Sequence, residues 1–127
     1  MRCINLNRLG RILKRSEYLR VKREGTAVAR SGLVLQAVSV ADHGKVPYPR
    51  VGFTVSKRVG NAVKRNRARR RLKSVAADIL TRNGLPTWDY VFIGRLTTLE
   101  SSYDSLLEDA KAALRTIHQE TEKERRN

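Results

Sequence analysis

The chain has 127 residues, 40% of them apolar, which is enough for one domain with a modest core and too few for two. A formal net charge of +15 opposes compaction by self-repulsion and calls for a neutralising polyanion, and no apolar run approaches the roughly 18 residues of a bilayer-spanning helix. The charge is unevenly placed: residues 1–77 carry 20 basic and 3 acidic side chains, residues 78–127 carry 7 and 9, so the front of the molecule meets the anion. Cys3 is the only cysteine, which rules out an intrachain disulfide and suits a reducing cytoplasm. The Arg-rich start (MRCINLNRLGRILKR) is broken by charge too often for a secretory core and is read as part of the mature chain.

Residues 16–24 (SEYLRVKRE) fit a short helix that begins near Ile12, with Ser16 as a candidate N-cap and Gly25 as its stop. Residues 26–29 are β-prone, and residues 33–40 (LVLQAVSV) form a strand apolar on both faces except at Gln36. A loop with Gly44, Pro47 and Pro49 follows. Residues 50–56 (RVGFTVS) alternate: Val51, Phe53 and Val55 face the core, while Gly52, Thr54 and Ser56 leave room for a ligand. The spacing of Ala68, Leu72, Val75, Ala76, Ile79 and Leu80 predicts a helix over about 61–82, stopped by Asn83-Gly84 and Pro86. Residues 90–94 (YVFIG) read as a buried strand. Ser101 or Ser102 then caps a last helix whose apolar face is Tyr103, Leu106, Leu107, Ala110, Ala113, Leu114 and Ile117. Residues 122–127 are expected as a disordered charged tail. The order helix-strand-strand-strand-helix-strand-helix implies a single α+β domain over residues 1–127.

The densest feature is residues 57–73 (KRVGNAVKRNRARRRLK), with nine Lys or Arg and no acid. No carboxylate is available there for i,i+4 pairing, so the repulsion stays uncompensated in the free protein. Arginine outnumbers lysine, and its planar fork suits bidentate phosphate contacts. Asn66, Arg67, Arg70 and Lys73 project away from the apolar stripe, but Arg65 and Arg69 fall close to its direction. Burying them unpaired would cost several kcal/mol each, so the first turns must overhang the core. Catalytic groups are lacking: the sequence offers no carboxylate cluster, no zinc ligand set and no Walker-type loop, and His43 and His118 read as surface histidines.

Residues 50–73 (RVGFTVSKRVGNAVKRNRARRRLK) resemble the signature of the bacterial ribonuclease P protein component: a strand ending in Ser56-Lys57, a Gly60-Asn61-Ala62-Val63 turn, and an Arg65-Asn66-Arg67 helix. The resemblance extends through residues 11–25, 33–40 and 89–95 with the following helix. It implies a four-stranded sheet packed with helices, like a domain of ribosomal protein S5, with a left-handed crossover at the central helix. It also implies a protein subunit of an endoribonuclease of tRNA 5′ maturation, whose catalytic groups and magnesium belong to an RNA subunit. No cofactor is then bound by the protein alone, which is expected to be a monomer. Carried over, Arg65, Asn66, Arg67, Arg69 and Arg70, with Lys73, Lys64 and Arg58 beside them, contact the RNA subunit. Tyr18, Lys22, Gln36, Ser56, Lys57, Asn61 and Arg95 lie along the path of the precursor tRNA leader. The chain departs from the pattern at Lys22 and Gln36, where relatives often have aromatics, so leader binding should lean on charge more than on stacking. Tyr18 is equally readable as a residue half-buried at the helix–sheet junction. A ribosomal-type or general RNA-binding structural protein would share the charge and remains the alternative.

Overall fold

The computed structural model describes residues 9–40 and 48–126, with side chains as far as Glu122; Cys3, His43, Gly44 and Pro47 lie outside the described residues. Five strands and three helices follow one another: β1 (Gly10–Arg11), α1 (Arg15–Glu24), β2 (Thr26–Ala29), β3 (Leu33–Ser39), β4 (Arg50–Thr54), α2 (Ala62–Asn83), β5 (Trp88–Gly94) and α3 (Tyr103–Arg126). Short 3₁₀ turns at Lys57–Val59 and Leu96–Thr98 precede α2 and α3. The sheet order is β1-β4-β5-β3-β2, with β1, β4 and β5 parallel and β3 and β2 antiparallel to their neighbours.

The expected four strands become five because Gly10-Arg11 adds to the edge of β4. Gly10 N–H donates to Pro49 O at 2.8 Å and Ile12 N–H to Val51 O at 3.0 Å. That pairing keeps the chain extended through Ile12, so α1 starts at Arg15 with Lys14 at its N-cap, rather than near Ile12 with Ser16 as the cap. Glu17 replaces the missing cap side chain by accepting Lys14 N–H at 3.2 Å. β5 starts two residues earlier than periodicity suggested, since Trp88 and Asp89 pair with Ser39 and Val38. Of the two candidate serines, Ser102 caps α3, its hydroxyl accepting Ser105 N–H at 3.1 Å. The charged end expected as a disordered tail is helical through Arg126, where strong helix formers prolong the packed turns.

The two faces of the sheet are covered unequally. Leu33, Leu35, Val51, Tyr90 and Phe92 point into the main core beneath α2 and α3, where Leu72, Ile79, Leu106 and Ile117 meet them. The other face carries only a small cluster, Ile12, Val21 and Val91 with half-buried Tyr18, Val38 and Ile93, beneath α1. Two-sided burial explains why β3 and β5 read as nearly continuous apolar runs.

His118 is not a surface histidine. It packs edge-on against Trp88, with ring centres 5.3 Å apart, and lies 2.9 Å from the Tyr90 hydroxyl. That fully buried hydroxyl already accepts Leu85 N–H at 2.9 Å, so its own hydrogen needs an acceptor, and neutral Nε2 of His118 supplies one. Burial holds the His118 pKa below its ordinary value. A depressed histidine pKa contributes stability that is complete above the unfolded value of about 6.5 and is lost as pH falls through it towards the folded value. Denaturation followed by the single tryptophan, Trp88, should therefore show stability rising with pH up to the unfolded value of about 6.5 and levelling off above it, and His118→Gln should flatten that rise.

Candidate nucleic-acid interface

The basic segment is shaped by three local devices. Ser56 Oγ accepts Arg58 N–H at 3.3 Å and starts the 3₁₀ turn. Gly60 then adopts φ +146°, a region that side-chain-bearing residues rarely enter. Asn61 caps α2 by accepting Lys64 N–H at 3.0 Å. Burial along α2 begins at Ala68, so its first turns stand clear of the core, as the helical phase required.

Arg65 and Arg69, which the phase placed near the apolar stripe, are half-buried and folded back along the helix. Arg65 Nη1 donates to Gly60 O at 3.1 Å and Arg69 Nη1 to Asn66 Oδ1 at 3.0 Å. Neither partner is charged. Lys57, Arg58, Lys64, Asn66, Arg67, Arg70 and Lys73 are exposed, and among the described residues none of these cations, nor Arg65 or Arg69, forms an ion pair. Arg71, the ninth cation of the run, turns inward instead and donates to Ser101 O, tying α2 to the start of α3.

The opposite face of the sheet is only partly covered beside α1, and the strip left open there is termed the trough. Register aligns Val34, Ile93 and Thr54 across β3, β5 and β4, with Gln36, Val91 and Gly52 in the next row. Tyr18 closes that second row: its ring lies on Gly52, where an added Cβ would stand 2.5 Å from the Tyr18 hydroxyl. The space expected along Gly52, Thr54 and Ser56 is thus filled at Gly52 and open only from Thr54 onward. Tyr18 is half-buried at the helix–sheet junction, Lys22 is exposed one turn further along α1, and Gln36 is half-buried in the floor. Because β4 and β5 run parallel and end together, exposed Ser56, Lys57 and Arg95 leave the sheet at the same end.

Several of these residues also have structural work. Ser56 and Asn61 use their side chains as caps, and Arg95 Nη1 donates to Arg30 O at 2.9 Å, holding the β2–β3 hairpin. Sequence reasoning missed the ion network under α1. Asp89, fully buried on β5, accepts Arg50 Nε at 2.8 Å and Nη2 at 2.7 Å, and Arg20 Nη2 at 3.4 Å. Arg50 Nη1 continues to Glu17 at 3.0 Å. Partial burial raises the Glu17 pKa, but the Lys14 amide and Arg50 outweigh it and leave the carboxyl below its ordinary value. The same carboxylates hold the Arg50 pKa above its ordinary value, chiefly through the Asp89 hydrogen bonds. The signal was an acid beside an otherwise apolar strand, since a buried carboxylate needs a cation.

These features define a small basic α+β domain with a five-stranded mixed sheet, three helices and an unpaired cationic helix face. A family model described as Ribonuclease P matches residues 6–118. The chain is 46% identical over 111 residues to the Ribonuclease P protein component of Paramagnetospirillum magneticum, spanning 87% of this chain and 84% of that one. It is 45% identical over 109 residues to that of Ruegeria pomeroyi, spanning 83% of each. The fold is similar to the RNase P protein of Staphylococcus aureus, with a TM-score of 0.69 at 23% identity over 84% of this chain and 93% of that one. The Thermotoga maritima protein gives 0.64 at 20% identity, over 80% and 92%. The chain belongs to the family of ribonuclease P protein components, the protein part of an endoribonuclease of tRNA processing.

Loss of the α2 cap should be measurable without disturbing the core. Asn61→Ala should lower stability to urea by about 1 kcal/mol, and Asn61→Asp, which keeps the acceptor, should restore most of it.

Proposed function

We infer that this chain docks on a catalytic RNA subunit through the exposed start of α2 and holds the 5′ leader of precursor tRNA in the trough beside α1. The observation that carries the first half is the set of unpaired cations on turns that overhang the core. Arg58, Lys64, Arg65, Asn66, Arg67, Arg69, Arg70 and Lys73 form the RNA-subunit surface in this reading. Arg65 and Arg69 are braced by neutral partners, so their positive charge is undiminished while their positions are restrained. Phosphates would take up the bonds that water now makes, with release of counterions.

The leader half rests on the trough. Tyr18 offers a ring for a base to stack on, and stacking contributes about 1–3 kcal/mol per base while tolerating any sequence. In this reading exposed Lys22, Lys57 and Arg95 give the leader path its positive charge, and Gln36, Ser56 and Asn61 give it polar atoms. A single-stranded leader of variable sequence fits such a surface better than a duplex does. The protein then contributes charge and position, and hydrolysis is carried out by groups and magnesium of the RNA. Among the described residues no three His, Cys, Asp or Glu side chains come together as metal donors. The protein acts in the cytoplasm as a monomer in this reading; among the described residues no helix is long and apolar enough to cross a membrane.

Two measurements test the two halves. Replacing Arg65 and Arg67 together by Ala should weaken binding to the cognate RNA subunit and reduce its log–log salt slope by about 0.9 for each duplex phosphate that the variant no longer neutralises. An unchanged affinity and slope would remove α2 from the interface. Lys22→Ala and Tyr18→Ala should each weaken holoenzyme binding to precursor tRNA more than to mature tRNA, which has no leader; equal losses for both would remove the trough from the leader path.

A further inference from the structure

We propose that the buried network Glu17–Arg50–Asp89–Arg20 is the positioning device of the leader trough: it fixes the tilt of α1 on the sheet and with it the place of the Tyr18 ring. The proposal rests on the trough reading above and names the residues that set its aperture.

α1 has little apolar grip on the sheet. Val21 is its only fully buried residue, and the cluster below it adds only Ile12 and Val91 as fully buried members. A ten-residue helix held at one buried side chain has a pivot but no fixed direction. The direction comes from ionic contacts on either side of Tyr18 in the chain. Glu17 meets Arg50 Nη1 at 3.0 Å, and Arg20 meets Asp89 at 3.4 Å. Arg50 joins the two, because its guanidinium also forks onto Asp89 through Nε and Nη2. Bidentate guanidinium–carboxylate bonds constrain angle as well as distance, which an apolar contact does not.

Charge balance separates this role from phosphate binding. Two carboxylates meet two guanidiniums, Asp89 is fully buried, and the other three side chains are only about one-fifth exposed. The network is neutral and turned inward, so it has no charge left for a nucleic acid. What it offers the site is geometry: Tyr18, the residue after Glu17, is laid on Gly52, and the open floor of Thr54, Ile93 and Val34 begins beside it. If α1 rocked about Val21, the ring would leave Gly52 and the trough would change width.

The test uses holoenzyme reconstituted with the cognate RNA subunit and reads the ratio of precursor to mature tRNA affinity. Glu17→Gln removes the ion pair with Arg50 at a partly exposed position where folding should persist. It should lower the ratio about five-fold, the size of a partly lost base stack, and leave affinity for the RNA subunit unchanged. Arg50→Lys keeps the charge but not the fork and should lower the ratio at least as much. In a Tyr18→Ala background Glu17→Gln should add nothing, because both act through the same ring. An unchanged ratio in folded Glu17→Gln, or full additivity with Tyr18→Ala, would overturn the proposal. If Tyr18→Ala and Lys22→Ala themselves leave the ratio unchanged, the trough reading fails first and takes the proposal with it. Should Arg50→Lys not fold, as circular dichroism would show, Glu17→Gln and the double variant decide the matter alone.

Discussion

The fork of Arg50 onto Asp89 is the interaction on which the arrangement of this domain most depends. It joins neighbouring parallel strands, reaches α1 through Glu17, and does so in a layer where few apolar side chains are available. Removing one partner of such a pair strands the other without compensation, at a cost of about 3–5 kcal/mol. The opposite face of the sheet is held differently. There α2 and α3 bury a continuous apolar core, and the fold would survive the removal of most single polar groups. The domain is therefore held together by hydrophobic burial on one face and directed by charge on the other.

This division explains how a chain with a net charge of +15 folds and still presents a concentrated cationic surface. The apolar stripe of α2 starts only at Ala68, so the core stabilises the helix from there onward while its first turns are carried beyond it. Helix formation in that overhang is supported by the Asn61 cap, by Gly60 and by the back-folded arginines, rather than by packing. Three of the acids are engaged elsewhere: Asp89 and Glu17 under α1, and Asp109 of α3 against the β2–β3 hairpin, where it accepts Gly32 N–H at 2.9 Å. Among the described residues no acid forms an ion pair with the cations at the start of α2. An unbalanced charge cluster on a braced helix is costly in isolation and useful against a polyanion.

Much of this was legible in the sequence. The apolar periodicity of residues 68–80 located α2, Asn61 and Asn83-Gly84 marked its ends, and the angular position of Arg65 and Arg69 showed that the helix must overhang. Alternation in residues 50–56 separated the two faces of β4, and the wording of residues 50–73 pointed to the family. What escaped depended on distant partners. The two-residue β1 is too short to leave a period, and it is defined only by its pairing with Arg50 and Val51. His118 is half-buried against Trp88 and Tyr90, which lie far away in sequence. The pocket-like face of β4 was read from small residues, but Tyr18 fills the space over Gly52 because a glycine invites a neighbour as readily as it leaves a void. Asp89 was the one visible hint of the ion network, and the network's other three members, Glu17, Arg20 and Arg50, come from two other elements.

In the function proposed for it, this chain supplies charge and position to a reaction whose chemistry belongs to RNA. The most direct measurement is cleavage of precursor tRNA by the cognate RNA subunit at limiting magnesium, with and without the protein. The expected result is strong stimulation by the protein, no cleavage by protein freed of RNA, and fading stimulation as salt rises. Cleavage by the RNA-free protein, or an RNA rate indifferent to the protein, would contradict it.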